Sequence, residues 1–329
     1  MPSTNKINVL VVGGAGYIGS HMIKSLNQHG CKITVLDNLS SGHANAVLAG
    51  DMVVGDLSDG IFLDSLFSSC PFDVVMHFAS SILVGESVKD PAKYYRNNVT
   101  NTQNLLDVMI RHNVKNLVFS STAAIFGEPQ YTPIDEKHPK LPINPYGRSK
   151  WMVEQILEDF DRAYGLKSVC LRYFNAAGAD PKGDLGERHD PETHLIPLIL
   201  QTISGRRDSF SVFGRDYGTK DGTCVRDYIH VSDLCDAHWL AIRYLLDGGD
   251  SQCFNLGNGN GFSVQEVIYM CEKVTGKELK VIESGRREGD PAVLVADSLF
   301  ASQLLGWNQK FGNLEDIIRH AWLWEKKSR

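Results

Sequence analysis

The chain has 329 residues, 43% hydrophobic and 22% charged, and carries a formal net charge of −6. That length and balance describe a globular protein with a substantial core, built as roughly two domains or one enlarged α/β domain. The acidic balance and the lack of any Lys/Arg block exclude nucleic acid and an anionic membrane surface as expected main partners, and no apolar stretch approaches the ~20 residues of a membrane span.

The apolar run Ile7 to Val12 reads as a buried parallel strand. It feeds the turn Gly13-Gly14-Ala15-Gly16-Tyr17-Ile18-Gly19 and the amphipathic stretch Tyr17 to His29, which reads as a helix. Strand, glycine turn and helix in this order are what a dinucleotide-binding loop requires. Small residues at 13, 16 and 19 permit a tight turn, close backbone approach to a pyrophosphate and tight helix-on-strand packing, with the anion on the helix N-terminus. The next strand, Ile33 to Asp37, ends in an acid. A carboxylate there accepts hydrogen bonds from the adenine ribose and repels a 2′-phosphate, which points to NAD rather than NADP. The alternative is that Asp37 only caps the strand end with Asn38 and Ser40.

Further apolar runs at Met52 to Val54, Asp73 to Phe78, Asn116 to Ser120 and Ser168 to Tyr173 alternate with helix-like stretches. Alternating βα units predict an α/β fold with a Rossmann-type doubly wound parallel sheet. After Asn175 the pattern changes: Gly, Pro and charged residues crowd Gly178 to Pro191, and later elements are shorter. We therefore expect an NAD-binding domain over 1–175, to which a later segment near 226–257 returns. A smaller, mainly substrate-binding region is expected over 176–329, its pocket facing the carboxyl ends of the strands. The seven cysteines are scattered, with no Cys-x-x-Cys pair, and read as reduced thiols. Together with the lack of a signal-peptide pattern at the N-terminus, they predict a cytoplasmic location. No metal site is expected, because His189 and His194 stand near acids but read more simply as satisfied or exposed histidines.

Tyr-x-x-x-Lys occurs twice, as Tyr146/Lys150 and Tyr269/Lys273. The spacing alone is a weak motif. Tyr269 and Lys273 lie in the helix-like Ser263 to Gly276 of the later region and read as helix surface. Tyr146 opens a helix after Pro142-Ile143-Asn144-Pro145, and Ser120-Ser121-Thr122 ends the strand before it. At i and i+4, Tyr146 and Lys150 share a helix face. A phenol is a poor base at pH 7, but a neighbouring ammonium and a positive nicotinamide ring both favour the phenolate. Thr122 could share the hydrogen bond, or merely bond nearby backbone at the strand end.

With these residues in place, the chain resembles the extended short-chain dehydrogenase/reductase superfamily and, within it, the UDP-glucose (UDP-galactose) 4-epimerases. The resemblance runs nearly end to end. It covers the blocks at 13–21, 36–39, 55–57, 77–79, 84–88, 94–99, 119–124 and 144–150. It continues through Leu-Arg-Tyr-Phe-Asn-Ala-Ala-Gly at 171–178, Asp-Gly-Thr-Cys-Val-Arg-Asp-Tyr-Ile-His-Val at 221–231 and Arg-Arg-Glu-Gly-Asp-Pro at 286–291. The last three point to the epimerase branch.

The resemblance implies that Tyr146, as phenolate, takes the proton of the sugar 4-hydroxyl while the C4 hydride passes to NAD, and that the keto sugar turns over before the hydride returns. Thr122 would orient the reacting oxygen, and Lys150 would hold the nicotinamide ribose and tune Tyr146. Gly13, Gly16, Tyr17, Ile18, Gly19, Asp37, Asn38, Leu39, Asp56 and Leu57 would serve the pyrophosphate and adenine side of NAD. Phe78, Ala79, Asn98 and Tyr173 would serve the pyrophosphate, ribose and nicotinamide side. Asn175, Leu195, Phe213, Arg226, Arg287 and Asp290 would grip the uridine diphosphate, the arginines supplying the local positive charge that an acidic chain otherwise lacks. Their alternative is surface ion pairing with Asp227 and Glu288. A homodimer is implied as well, with helices around Pro91 to His112 and Tyr146 to Tyr164 bundled across the interface.

Some positions depart from the family pattern. Val12 stands where many members have Thr, Ile82 where some have Lys, and Leu294 where side-chain size is thought to decide whether an N-acetyl group fits. The acids that dehydratases place after the catalytic Thr are here Ala123 and Ala124, which counts strongly against dehydration. UDP-N-acetylglucosamine, UDP-glucuronate and UDP-pentoses stay open as substrates. A non-catalytic NAD-binding sensor should have lost Tyr146 or Lys150, and this chain has both.

Overall fold

The computed structural model describes residues 6–287 and 290–328; Glu288 and Gly289 of the 286–291 block lie outside the described residues. The strands are β1 (Asn8–Val12), β2 (Lys32–Asp37), β3 (Asp51–Val54), β4 (Val74–His77), β5 (Asn116–Thr122), β6 (Lys167–Tyr173) and β7 (Asn175–Ala177). They continue with β8 (Phe210–Phe213), β9 (Val225–Arg226), β10 (Tyr228–His230), β11 (Gln252–Leu256), β12 (Phe262–Ser263), β13 (Val281–Ser284) and β14 (Val293–Leu294). The helices are α1 (Tyr17–Gln28), α2 (Gly60–Ser69), α3 (Val84–Lys89), α4 (Pro91–Tyr94), α5 (Asn101–Arg111) and α6 (Pro145–Tyr164). After them come α7 (Leu195–Ile203), α8 (Val231–Leu246), α9 (Val264–Thr275), α10 (Leu299–Leu305) and α11 (Leu314–Lys327).

The chain forms two compact units. One runs to Gly127 and adds Lys140–Arg172 and Cys235–Phe254; the other comprises Glu128–Pro139, Tyr173–Leu234 and the chain from Asn255 onward. Of the segment near 226–257, Cys235–Phe254 thus lies in the first unit and its flanks in the second.

The first unit holds a seven-stranded sheet in the order β11-β6-β5-β4-β1-β2-β3. β1 pairs in parallel with β2 and β4, β2 with β3, and β4 with β5. Residues 9–12 of β1 and all of β4 are buried, which is why these runs are almost continuously apolar rather than alternating. β3 closes one edge, and its Val54 is 61% exposed. The order turns back at β1, so the Rossmann switch point lies beside the glycine turn. α5 and α6 cover one face: Leu105, Leu106, Met109, Val153 and Leu157 close over Leu10, Val75, Leu117 and Phe119.

In the second unit α7, α9 and α11 share a core of Ile199, Leu200, Val267, Cys271, Ile317, Ile318 and Trp322. Short strand pairs surround it: β10 with β7, β13 with β8, and β9 between β12 and β14. Buried Asp227 ties these pieces, accepting from the backbone N–H of Asn258, of Gly259 at 2.9 Å and of Ala296 at 3.0 Å. Burial pushes its carboxyl up, and those three bonds pull it back.

Candidate active site

The glycine turn is dictated by sterics at two positions and left open at a third. Gly13 has φ +77°, and a Cβ there would run into the backbone of Phe78 and Ala79; a Cβ at Gly19 would strike Gly13 O. At Gly16 the nearest protein atom to such a Cβ is Gly13 O at 3.5 Å, an ordinary contact, so nothing in the protein itself requires glycine there. Gly16 is also the N-cap of α1, offers its first turn no side-chain acceptor, and is followed by no acid in that turn. A pyrophosphate fits this end, where N–H donors and the positive dipole pole converge on a position bare of side chain.

Asp37 ends β2 and is buried. Its carboxylate accepts from Ala15 N at 2.9 Å and Leu39 N at 2.8 Å, which ties the glycine turn to the strand that would carry the adenine ribose. Leu39 has φ +58°, a left-handed conformation that costs a branched side chain roughly 1–2 kcal/mol and is held by the bond to Asp37. Asn38 donates to Asp56 Oδ2 at 2.6 Å, and Ser58 N donates to its Oδ1 at 2.8 Å; the hydrogen bonds from Ser58 and Asn38 lower the Asp56 pKa. Leu57 is buried, and its carbonyl accepts from Asn104 Nδ2 at 3.1 Å. Asp37, Asn38, Leu39, Asp56 and Leu57, expected on the adenine side, therefore lie in hydrogen-bonded loops after β2 and β3.

Tyr146 and Lys150 lie one turn apart on α6, which begins at Pro145 rather than at Tyr146. Asn144 caps it by accepting from Gly147 N at 2.8 Å, and Pro145 at N1 presets the first turn. Gly147 is obligatory because a Cβ would collide with Ala124 O, so the helix start is held against the turn after β5. Thr122, the last residue of β5, stands beside the Tyr146 phenol and lowers its pKa, and its Oγ1 accepts from Ala124 N at 3.1 Å.

The electrostatics depart from the sequence expectation. Burial raises the Tyr146 pKa, and only the Thr122 hydrogen bond opposes it. The Lys150 amine is turned away, donating to Ser80 Oγ at 2.6 Å and Ser120 O at 2.7 Å. Burial pulls its pKa down to about 7. In the protein alone the lysine therefore does not favour the phenolate, because desolvation outweighs it.

Asn98 lies in a π-helical turn, Tyr95–Thr100, between α4 and α5. It accepts from Ser81 N at 2.9 Å and donates to Ser81 O at 3.0 Å and Ser149 Oγ at 3.0 Å. It thereby joins the loop after β4 to α6. Phe78 and Ala79 follow β4; Phe78 contacts the His238 ring at 5.0 Å between centroids. Tyr173 ends β6, buried.

In the second unit Arg226 pairs with Asp290 at 2.5 Å and donates to Pro291 O at 2.8 Å. Its ion-pair partner is thus another expected site residue and not Asp227. The Arg287 guanidinium lies 4.2 Å above the Phe213 ring, an aromatic face and a cation side by side. Leu294 pairs with Arg226 across β14 and β9, Asn175 Nδ2 donates to Asp227 O at 2.9 Å, and Leu195 opens α7. Tyr269 is 63% exposed and Lys273 pairs with Glu315 at 2.7 Å, so the second Tyr-x-x-x-Lys lies on a helix surface.

Sequence reasoning missed Ser80 and the Ser120 carbonyl as the seats of Lys150. It also missed the buried network below them, where Glu154 holds Arg172 (2.6 Å) and accepts from Ser121 (2.5 Å). Ser80 had one legible signal, its place just past the end of β4, next to Phe78 and Ala79. Glu154 had none, since an acid four residues after Lys150 reads as solvated helix surface.

A model of the NAD dependent epimerase/dehydratase family matches residues 9–257. The chain is 52% identical to a UDP-glucose 4-epimerase of Halalkalibacterium halodurans, over 97% of this chain and 96% of that protein. A crystal structure of UDP-glucose 4-epimerase from Brucella ovis in complex with NAD superposes with a TM-score of 0.94 at 50% identity, covering 96% of this chain and 97% of that one. One from Stenotrophomonas maltophila, with bound NAD and formylated UDP-arabinopyranose, gives a TM-score of 0.94 at 39% identity over 98% of each chain. The family model spans well over half of the chain, and the relatives match it over nearly its full length: the chain belongs to the NAD dependent epimerase/dehydratase family.

Proposed function

We infer that the chain is an NAD-dependent isomerase that interconverts UDP-glucose and UDP-galactose by inverting C4 of the sugar. The observation that carries the reaction type is Thr122 beside the Tyr146 phenol, with the buried Lys150 amine one helical turn on. The substrate follows from nearly full-length likeness to UDP-glucose 4-epimerases.

Bound NAD supplies the hydride acceptor and, later in the same turnover, the hydride donor. The glycine turn and α1 N-terminus take its pyrophosphate, Asp37, Asn38, Leu39, Asp56 and Leu57 its adenine side, and Phe78, Ala79, Asn98 and Tyr173 its nicotinamide side. Lys150 would hold the nicotinamide ribose. Tyr146 accepts the O4 proton through its phenolate oxygen as the C4–H bond breaks, and returns it to O4 when C4 is reduced on its other face. Thr122 holds that oxygen in line with the phenol. Because burial alone disfavours the phenolate, the positive nicotinamide ring that Phe78, Ala79, Asn98, Tyr173 and Lys150 would hold would favour it, and Tyr146 would be a stronger base with the cofactor in place. Arg226, Arg287, Asp290, Asn175, Leu195 and Phe213 take the uridine diphosphate, and Leu294 borders the sugar.

Two further readings accompany this one. The protein works as a homodimer through the helices around Pro91 to His112 and Tyr146 to Tyr164, where Met152 is 41% exposed on an isolated chain. It is cytoplasmic: all seven cysteines remain thiols, and no helix among the described residues is long and apolar enough to cross a membrane.

The test is incubation of the purified protein, without added cofactor, with UDP-galactose and separately with UDP-N-acetylgalactosamine, the epimers being resolved by NMR. Conversion of the first is expected. No turnover of the first even with NAD supplied would overturn the assignment, and turnover of the second would set Leu294 as permissive for an acetamido group.

A further inference from the structure

Outside the residues assigned above, the second unit gathers four metal-competent side chains in one short segment just before α7. Glu187, His189, Glu192 and His194 present ligand atoms that all lie within 4.8 Å of one another. Both imidazole Nδ1 atoms converge on Glu187 Oε1, His194 at 2.7 Å and His189 at 3.1 Å. His194 Nδ1 also lies 2.9 Å from Glu192 Oε1, and His189 Nδ1 3.9 Å from Glu192 Oε2.

Burial makes this more than a chain of surface ion pairs. The Glu187 and Glu192 side chains are only 6% and 3% exposed. Glu192 Oε2 is buried and no hydrogen-bond donor reaches it, although Oε1 of the same carboxylate is bonded to the Thr193 and His194 amides at 2.8 and 2.9 Å. An orphan carboxylate oxygen in a dry position is costly, and it faces His189 within the cluster. Two neighbouring buried carboxylates also need two positive charges close by. One divalent cation with two neutral imidazoles meets that need and gives the orphan oxygen a partner.

We propose that Glu187, His189, Glu192 and His194 form a binding site for one divalent transition-metal ion, with Zn²⁺ the expected occupant. Zinc takes imidazole nitrogen and carboxylate oxygen at about 2.0–2.2 Å in a tetrahedron, so its ligand atoms stand roughly 3.3 Å apart. The four separations above, 2.7 to 3.9 Å, bracket that edge, so occupancy needs only small side-chain shifts. Four protein ligands close the coordination sphere, which makes the site structural. It would pin the 187–194 segment, whose backbone is already anchored where Trp324 Nε1 donates to Glu187 O at 3.1 Å. A second metal-competent group, Glu154, Cys170 and Cys253 in the first unit, is a weaker candidate because Arg172 already occupies the carboxylate.

The test uses the full chain without a histidine tag, stripped with chelator and titrated with zinc chloride against a chromophoric chelator. One equivalent per chain is expected. Glu192→Gln and His189→Gln should each weaken binding by at least the roughly 10-fold that losing even an outer-shell partner costs, while Cys253→Ser binds as wild type. Circular dichroism checks that the variants fold. If either fails to fold, cobalt substitution of the wild type decides: intense visible bands of tetrahedral cobalt without a thiolate charge-transfer band support the site. Binding below one equivalent, binding that survives both substitutions, or a thiolate band would overturn it.

Discussion

Tyr146 is where the chemistry is most exposed to a single change. Tyr146→Phe keeps the ring and removes the proton carrier; kcat should fall by about 10²–10⁴-fold, the usual worth of a general base, with NAD still bound. Retained turnover would reject the residue as base. On the proposed reading Asp37 is the residue that would set cofactor choice: Asp37→Ser removes the charge that would repel a 2′-phosphate, so NAD binding should weaken by about 10-fold or more, as loss of a charged hydrogen bond implies. Binding of NADP, measured by fluorescence, should improve. Lys150 offers a pH signature. Its pKa is about 7 in the fold and about 10.4 in an unfolded chain. Between those values the unfolded state holds more protons, so stability rises with pH: the penalty of burying the ammonium is full below pH 7 and vanishes above the unfolded pKa. The melting temperature of NAD-free wild type minus that of Lys150→Met should therefore increase from pH 6 to pH 9. A flat difference would mean that Lys150 is not held largely neutral.

At the scale of elements, α6 and α9 are begun by the same device for different ends. Asn144 caps α6 at the base residue, while Ser263 and Glu266 form a complete capping box on α9, which ends at Gly276 in a left-handed conformation. Replacing either cap by Ala should cost about 1 kcal/mol in urea unfolding. Only Asn144→Ala should also lower kcat, because only there does the first turn carry Tyr146; equal activity losses in both would refute this distinction. The limits of α9 were legible in sequence at Ser263 and Gly276, whereas α6 was expected to open at Tyr146, one residue late, and its Asn144 cap was not read. The π-helical turn that places Asn98 was not. A π turn changes which residues share a face, and no local propensity announces it.

For the whole molecule, the question is assembly. With the helices around Pro91 to His112 and Tyr146 to Tyr164 as the expected dimer face, light scattering at low micromolar concentration should give twice the mass of one 36.5 kDa chain, and Met152→Glu, placing charge on that face, should lower it toward one. A wild-type monomer would defeat the reading. Asp227 tests the second unit as a body. Asp227→Ala leaves three backbone N–H groups without their acceptor, at about 1–3 kcal/mol each if they stay buried. Its loss should unfold the second unit more readily than any single cap removal, as read by limited proteolysis.

The residues by themselves determined the Rossmann-type sheet, the glycine turn, the acid at Asp37 and the Tyr146/Lys150 pair, because each rests on local patterning: apolar runs, turn sterics and helical spacing act within one or two elements. Tertiary structure decided what those patterns leave open. It buried Lys150 and partly buried Tyr146, while it left Tyr269 and Lys273 on a helix surface. It seated Lys150 on Ser80 and Ser120, made desolvation rather than the lysine the dominant influence on Tyr146, and paired Arg226 with Asp290 instead of Asp227. It also gathered Glu187, His189, Glu192 and His194 into one cluster. Burial and contacts between distant segments are properties of the folded chain, and pKa, pairing and coordination follow from them.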